Sequence, residues 1–301
     1  MLILKPIIHS TIWGGSWLTN SYSFHDKIGH LYGLVSNGKL ESEILNGPYK
    51  GQLFKKYFDE NKVRLNLAGF ATFPYVLALV DAKENLSLQV HPDDKYAISQ
   101  GLSGGKNESW FFLEESTSNF IYNGCKINSK EIILSLIKEG REKEIWDTLQ
   151  VGKSGYVFVE AGTMHALSAG SKVFEIEENC DQTYRFYDFD RVGSDGKKRE
   201  LQLNQAIEAL SPTNKSQCKE LDSGQEVHHR YYSFKYFPQM YDYENKSNTI
   251  ETITLLSENV EIEGITVKRG MTIVLEPGDT VNLQGSLIGL VRPTIGGVYG
   301  C

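Results

Sequence analysis

Short apolar runs separated by polar turns recur along most of the chain, and this pattern predicts a mainly β protein. Residues 1–50 are predicted to form strands and turns, and the apolar stretch from Phe73 to Val90 is interrupted near 81–85 by polar residues. Further strands are predicted over 109–113, 120–122, 156–160, 172–177 and 183–189. Many short strands with turn signals between them are typical of a sandwich or a barrel.

Apolar residues at helical spacing interrupt the β pattern in a few places. Helices are predicted over 50–62, 95–99, 128–149 and 203–210. The strongest is 128–149, where Ile132, Ile133, Leu136 and Ile137 share a helix face and a second helical segment is expected over 145–149. Asp93 or Asp94 is placed to cap the helix over 95–99. These helices are predicted to be insertions in a β domain.

A polar, proline-containing segment over 211–217 is the best candidate for a domain boundary. Beyond it, short strands alternate with turns such as Glu276–Asp279, which predicts a second β unit. The expected organisation is therefore a larger domain over 1–212 and a smaller C-terminal β domain over 218–301.

Four polar residues in three segments have the composition of a divalent-metal site, with two imidazoles, one carboxylate and one amide. They are Gln89, His91, Glu108 and His165. Gln89 and His91 are two positions apart in an apolar run, so a strand would place both on one face. Glu108 follows His91 by 17 positions, and His165 follows His91 by 74 positions. Only a closed or strongly curved sheet brings such segments together, which predicts a small β-barrel with a metal in its mouth.

The other histidines are expected to be ordinary core or surface residues, because a lone histidine on a strand is seldom a ligand. They are His9, His25, His30, His228 and His229. The four cysteines, Cys125, Cys180, Cys218 and Cys301, show no CxxC spacing. Neither a disulfide framework nor a thiolate metal site is expected, which favours the cytoplasm.

Composition narrows the possible partners. The chain has 301 residues, 23% of them charged, and a formal net charge of −7. This acidic balance argues against general nucleic-acid binding, although an anionic ligand needs only a local basic pocket. The apolar start, Met1 to Ile8, is too short to span a membrane and lacks a basic leader, so we interpret it as a first strand.

For four charged residues near the metal-site segments, a structural interpretation competes with a functional one. Lys106 lies two residues before Glu108, so on a strand it would stand beside the metal, but it could equally be a solvated lysine in a glycine-rich loop. Glu175 and Glu177 alternate with apolar residues, as on the wet face of a half-buried sheet. Arg185 is an ordinary surface charge unless it faces a cavity, where it would bind a carboxylate or phosphate.

The chain strongly resembles the type I mannose-6-phosphate isomerases, zinc enzymes of the cupin superfamily, over most of its first 200 residues. The matching blocks are Phe73-Pro74, Asp81 to Asp94 with Gln-Val-His-Pro-Asp-Asp at its end, Gly105-Lys-Asn-Glu108, Ala161-Gly-Thr-Met-His-Ala-Leu167 and Glu175 through Arg191. The resemblance implies a cupin jelly-roll barrel with helical insertions, followed by a smaller β-barrel domain. It also implies a compact bacterial or archaeal form of the family.

The resemblance implies a role for each matching residue. One zinc ion per chain would be bound by Gln89, His91, Glu108 and His165. Arg185, Lys106 and Glu175 match catalytic positions, and Ser87, Lys106 and Arg185 match substrate-binding positions. The implied reaction interconverts mannose 6-phosphate and fructose 6-phosphate through a cis-enediol, so the expected partner is a small sugar phosphate. The oligomeric state and the group that moves the proton stay open.

The match has departures around the substrate. Family members usually carry a lysine where this chain has Ala78, and a Gly-Glu-x-Trp segment where it has Gly29 to Tyr32, with His30 in place of the glutamate. Glu160 replaces a common proline. These changes leave one alternative open, a metal-containing sugar-binding paralogue that is non-catalytic or has another specificity.

Overall fold

The computed structural model describes residues 1–193 and 196–294 of the chain. Cys301 and the end of the predicted C-terminal domain lie outside the described residues. The helices are α1 (Thr19–Tyr22), α2 (Phe54–Asn61), α3 (Asp94–Ser99), α4 (Lys130–Lys138) and α5 (Leu203–Ala209). The strands are β1 (Leu2–Lys5), β2 (Ile7–His9), β3 (His30–Leu34), β4 (Glu43–Ile44), β5 (Tyr75–Ala82), β6 (Leu88–Val90), β7 (Glu108–Phe112), β8 (Phe120–Cys125), β9 (Trp146–Gln150), β10 (Gly155–Val159), β11 (His165–Ala166), β12 (Ser171–Glu178), β13 (Tyr184–Tyr187), β14 (Cys218–Glu220), β15 (Val227–His228), β16 (Tyr232–Glu244), β17 (Glu251–Leu255), β18 (Val260–Ile262), β19 (Ile265–Val267), β20 (Thr272–Leu275) and β21 (Thr280–Pro293).

Antiparallel sheets make up the architecture, which confirms the predicted mainly β fold. A front sheet has the order β13-β6-β11-β8-β9, and a middle sheet has the order β14-β10-β7-β12-β5-β3-β2. One hydrophobic core joins these two sheets, with Val90 and Ala166 from the front and Trp110 and Val173 from the middle. A back sheet, β15-β16-β21-β17-β20-β1-β4, shares a second core with the other face of the middle sheet.

The continuous apolar run at β5 is explained by the position of this strand inside the middle sheet. All eight residues from Tyr75 to Ala82 are buried, because both faces of this strand are covered. Edge strands such as β9 alternate between exposed and half-buried residues instead. The third hydrophobic core lies against the back sheet, where the small hairpin β18–β19 also packs.

One predicted helix is wrong over half of its length. The helix expected over 128–149 is α4 only as far as Lys138, and the second helical segment expected over 145–149 is mostly the strand β9 (Trp146–Gln150). Gly140, with φ of +69°, turns the chain in the left-handed conformation that glycine favours at helix ends. Ile145 and Leu149 fit helical spacing, but pairing of β9 with β8 decides the structure. Among the described residues, no helix has the length and apolar character to cross a membrane.

Two strands cross the predicted division between the domains. β1, in the first predicted domain, pairs with β20 in the second, with Leu2 opposite Val274. In turn β14 pairs with β10, with Cys218 opposite Val157. Each part therefore contributes a strand to a sheet of the other part. The domain ranges 1–212 and 218–301 stay a prediction.

Candidate metal centre and active site

Strand alternation sets the direction of Gln89 in the Gln-Val-His segment. In β6, Leu88 and Val90 are buried in the core, so Gln89 between them points to the opposite face. His91 follows at the end of the strand, and Pro92 stops the ladder because it has no N–H to donate. Asp93 then caps α3 by accepting a hydrogen bond from Tyr96 N at 2.7 Å.

Backbone hydrogen bonds dock the other two segments onto this one. Lys106 N donates to Pro92 O at 3.0 Å, and Gly162 N donates to His91 O at 2.8 Å. The close approach at Gly105 needs glycine, because a Cβ there would lie 2.6 Å from the backbone carbon of Asp93. The three sequence blocks are thus joined through main-chain contacts around His91.

The predicted ligands converge as a result, and we call Gln89, His91, Glu108 and His165 the metal group. His91 Nε2 lies 3.0 Å from Glu108 Oε2, and His165 Nε2 lies 3.1 Å from Glu108 Oε1. The ligand atoms of these three residues are all within 4.8 Å of one another, and all three residues are buried. Gln89 lies opposite His165 in the front sheet, and its amide nitrogen is 3.3 Å from His165 Nε2.

The donor set fits a divalent metal ion. His91 Nδ1 donates to Gln182 O and His165 Nδ1 donates to Thr163 O, each at 2.8 Å. With the proton held at Nδ1, Nε2 of each ring is the nitrogen that can present a lone pair towards the Glu108 carboxylate. Burial lowers the pKa of His91 to about 4, with Lys106 adding to the effect. The lone pairs of two imidazole nitrogens repel the negative carboxylate that they face. A cation bound between these three groups would remove the repulsion.

Lys106 lies between two carboxylates beside the metal group. Its Nζ is 2.7 Å from Glu177 Oε2 and 3.5 Å from Glu108 Oε2, and the side chain is 8% exposed. Burial alone would lower the pKa of Lys106, but the carboxylates of Glu177 and Glu108 outweigh it and raise the pKa. The expected shared strand face with Glu108 is wrong, because β7 begins only at Glu108. The hydrogen bond to Pro92 O positions Lys106 instead.

Glu175 is buried on β12, next to this charged group. Its Oε1 accepts a hydrogen bond from Trp110 Nε1 at 2.8 Å, and its Oε2 lies 3.4 Å from His30 Nε2. Glu175 is opposite Ala78 in the sheet, so the departure at Ala78 borders this carboxylate directly. Burial raises the pKa of Glu177 well above its ordinary value, and the neighbouring Glu175 adds to that rise against the opposing charge of Lys106.

Arg185 lies opposite Gln89 in the front sheet, so it shares the face that carries the metal group. Its Nε is buried and has no hydrogen-bond partner in the described part of the chain. Burial, with Arg199 next, lowers the pKa of Arg185 from its ordinary value. Ser87 Oγ donates to the Gln89 side-chain oxygen at 3.3 Å. Arg185 and Ser87 therefore lie where the sequence places them, beside the metal group.

Charged residues at and after the end of β13 form ion pairs with one another. Arg191 and Arg199 both contact Asp188, and Lys198 lies 2.7 Å from Asp190. Sequence reasoning missed the roles of Glu177, which pairs with Lys106, and of Trp110, which binds Glu175. The alternation along β12 put Glu177 on the same face as Glu175, and that shared face was the available signal.

Comparisons with known proteins agree with the motifs. The chain is 31% identical over 212 residues to the mannose-6-phosphate isomerase ManA of Bacillus subtilis (strain 168), covering 69% of this chain and 67% of that protein. It is 30% identical over 213 residues to the mannose-6-phosphate isomerase of Streptococcus mutans, covering 70% and 67%. No protein-family model matches the chain.

The fold is that of a cupin, and its buried His-Glu-His group could hold a metal ion. A crystal structure of the mannose 6-phosphate isomerase from Bacillus subtilis superposes with a TM-score of 0.82 at 25% identity, over 96% of this chain and 98% of that one. The chain belongs to the mannose-6-phosphate isomerase family. The family inferred from the sequence motifs is thereby confirmed.

Proposed function

We propose that this chain interconverts mannose 6-phosphate and fructose 6-phosphate, with one zinc ion bound by the metal group. The observation that carries the proposal is the pair of imidazoles whose Nε2 atoms meet both oxygens of the buried Glu108 carboxylate. Two nitrogen and two oxygen donors suit zinc. The names of the relatives supply the substrate.

The reaction moves a proton between C1 and C2 of the open-chain sugar through a cis-enediol. A bound zinc ion would supply Lewis-acid polarisation of the sugar oxygens. Glu175 is the proposed proton carrier, because it is a buried carboxylate held at one oxygen by Trp110. It would accept the proton from one carbon and return it to the other.

Two cations have separate proposed roles. Lys106 is buried within the charged group, so it would stabilise the negative oxygen that develops beside C1 and C2. Arg185 is less buried and has an unpartnered Nε among the described residues, so its guanidinium would bind the phosphate as a fork. The Ser87 hydroxyl would contact the sugar next to Gln89.

A coupled assay with mannose 6-phosphate, together with elemental analysis, tests the proposal. Purified protein should contain about one zinc per chain, and chelation should abolish turnover until zinc is restored. His165→Ala should lose both metal and activity, whereas His228→Ala, at an exposed histidine outside the site, should lose neither. Full activity after complete metal removal would exclude the zinc role. Full zinc occupancy without turnover would identify a binding paralogue instead of an isomerase.

A further inference from the structure

His30 is held in a fixed orientation at the edge of the proposed active site. It begins β3, where its ring stacks on Tyr32 with centroids 5.3 Å apart and an interplanar angle of 6°. The edge contact with Trp13, at 5.1 Å and 82°, fixes a second side of the ring. The side chain is 16% exposed, so the ring separates the buried Glu175 carboxylate from solvent.

The ring is aimed at the one oxygen of Glu175 that lacks a hydrogen bond. Trp110 occupies Oε1, whereas Oε2 is buried and, within the described ranges, has no hydrogen-bond partner. His30 Nε2 is 3.4 Å from Oε2, close but without hydrogen-bond alignment. Hydrogen bonds of active-site groups are often long before substrate binds and shorten in the complex. A small tilt of the ring would complete this one.

Apart from Glu177, which also interacts with Glu175, the other groups near this carboxylate do not replace His30. Lys106 Nζ forms an ion pair with Glu177 Oε2 at 2.7 Å. Ala78, opposite Glu175 in the sheet, has only a methyl group and cannot donate a hydrogen bond from its side chain. A buried carboxylate with one oxygen unsatisfied is costly and free to reorient.

We propose that His30 is a positioning residue for the isomerisation, acting through Glu175 by fixing the orientation of the carboxylate that carries the proton. The inference rests on the proposed function, since it requires Glu175 to be that carrier. It assigns a role to a histidine that stands where the resembling family usually has a glutamate. Through His30, this chain would orient the carboxylate with an imidazole ring.

Loss of the ring should change the pH profile in a defined direction. A hydrogen bond to the ionised carboxylate favours that form, so without His30 the acid limb of kcat should move to higher pH. The groups near the same point are Glu108, Glu177, Lys106, Trp110, Tyr32 and His9, and all of them remain in a His30 variant.

The test compares His30→Phe and His30→Gln with the control His9→Phe. His9 stacks on His30 and Tyr32, but among the described residues it forms no hydrogen bond or ion pair with Glu175. His30→Phe should lower kcat about 10- to 100-fold, with KM, zinc content and Tm nearly unchanged. His30→Gln, whose amide can donate to Glu175, should recover much of kcat, and His9→Phe should behave as the parent.

Several results would overturn the inference. Parent-like kcat and acid limb in His30→Phe would exclude a positioning role. Equal losses of activity and Tm in His30→Phe and His9→Phe would make the stack purely structural. A second equivalent of bound zinc, lost in His30→Phe, would make His30, Glu175 and Glu177 a metal site instead. The variant Glu175→Gln separates the two proposals. If Glu175→Gln is active, Glu175 is not the proton carrier. If Glu175→Gln is inactive while His30→Phe behaves as the parent, only the role of His30 is excluded.

Discussion

At the scale of single residues, Arg185 and Lys106 differ in how far their charges are already neutralised. Lys106 contacts two carboxylates and is almost fully buried. Arg185 lies on the same sheet face as the metal group, and its Nε has no partner among the residues described. An arginine without a carboxylate partner near a metal group is suited to an anionic ligand, and its planar fork matches a phosphate.

Arg185→Ala should therefore impair catalysis without unfolding the protein. We expect a fall in kcat/KM that corresponds to the loss of about 2–4 kcal/mol of transition-state stabilisation, with zinc content and Tm nearly unchanged. The matched control is Arg191→Ala, because Arg191 binds Asp188 and a backbone carbonyl and should act on stability. Steady-state kinetics and thermal melts on both variants give the comparison. A large fall in Tm with normal kcat/KM in Arg185→Ala would make Arg185 a structural residue.

At the scale of elements, local spacing was informative where one face of an element meets the core. The ligand pair Gln89 and His91 followed from the alternation in β6, and α3 and α5 lie where the pattern predicts them. The strand β9 could not be predicted, because Ile145 and Leu149 also fit helical spacing and only pairing with β8 selects the strand. The partners of Glu175 likewise come from β3 and β7, which no local pattern relates to it.

The docking of the Gly-Lys-Asn-Glu segment on the His-Pro-Asp-Asp segment predicts a contrast between two adjacent glycines. Gly105→Ala would push a Cβ against the backbone of Asp93, whereas the Cβ of Gly104→Ala meets only Asp94 Oδ1 at 3.5 Å. Gly105→Ala should lower the free energy of unfolding by about 1–3 kcal/mol and weaken zinc binding. Gly104→Ala should do neither. Urea unfolding and zinc titration would measure both effects, and equal behaviour of the two variants would contradict the docking.

At the scale of the whole molecule, the middle and back sheets share one core. Phe174 and Ile176 of the middle sheet pack in the same cluster as Phe234 and Val291 of the back sheet. Hydrogen bonds cross the same boundary, such as that from the Tyr75 hydroxyl to Val291 O at 3.2 Å. The exchanged strands β1 and β14 add to this connection. We infer that neither predicted domain buries its apolar face without the other.

The shared core predicts a single cooperative unfolding transition. All four tryptophans, Trp13, Trp17, Trp110 and Trp146, lie before residue 212, so their fluorescence reports on the first predicted domain. Far-ultraviolet circular dichroism reports on strands of both parts. The urea midpoints from the two signals should coincide, because the parts lose a common core together. Two separated midpoints would instead show that the domains are independent folding units.

The carboxylates around Lys106 also have a consequence for which ions the protein can accept. Glu108, Glu175 and Glu177 bring three formal negative charges into a buried region, and Lys106 brings one positive charge. With all of them ionised the remainder is two negative charges. Because the pKa of Glu177 is raised, this state is favoured once a divalent cation in the metal group helps Glu177 to release its proton. Uncompensated charge is costly in a buried region. The region should therefore hold a divalent cation better than sodium or potassium, before coordination geometry selects among the divalent ions.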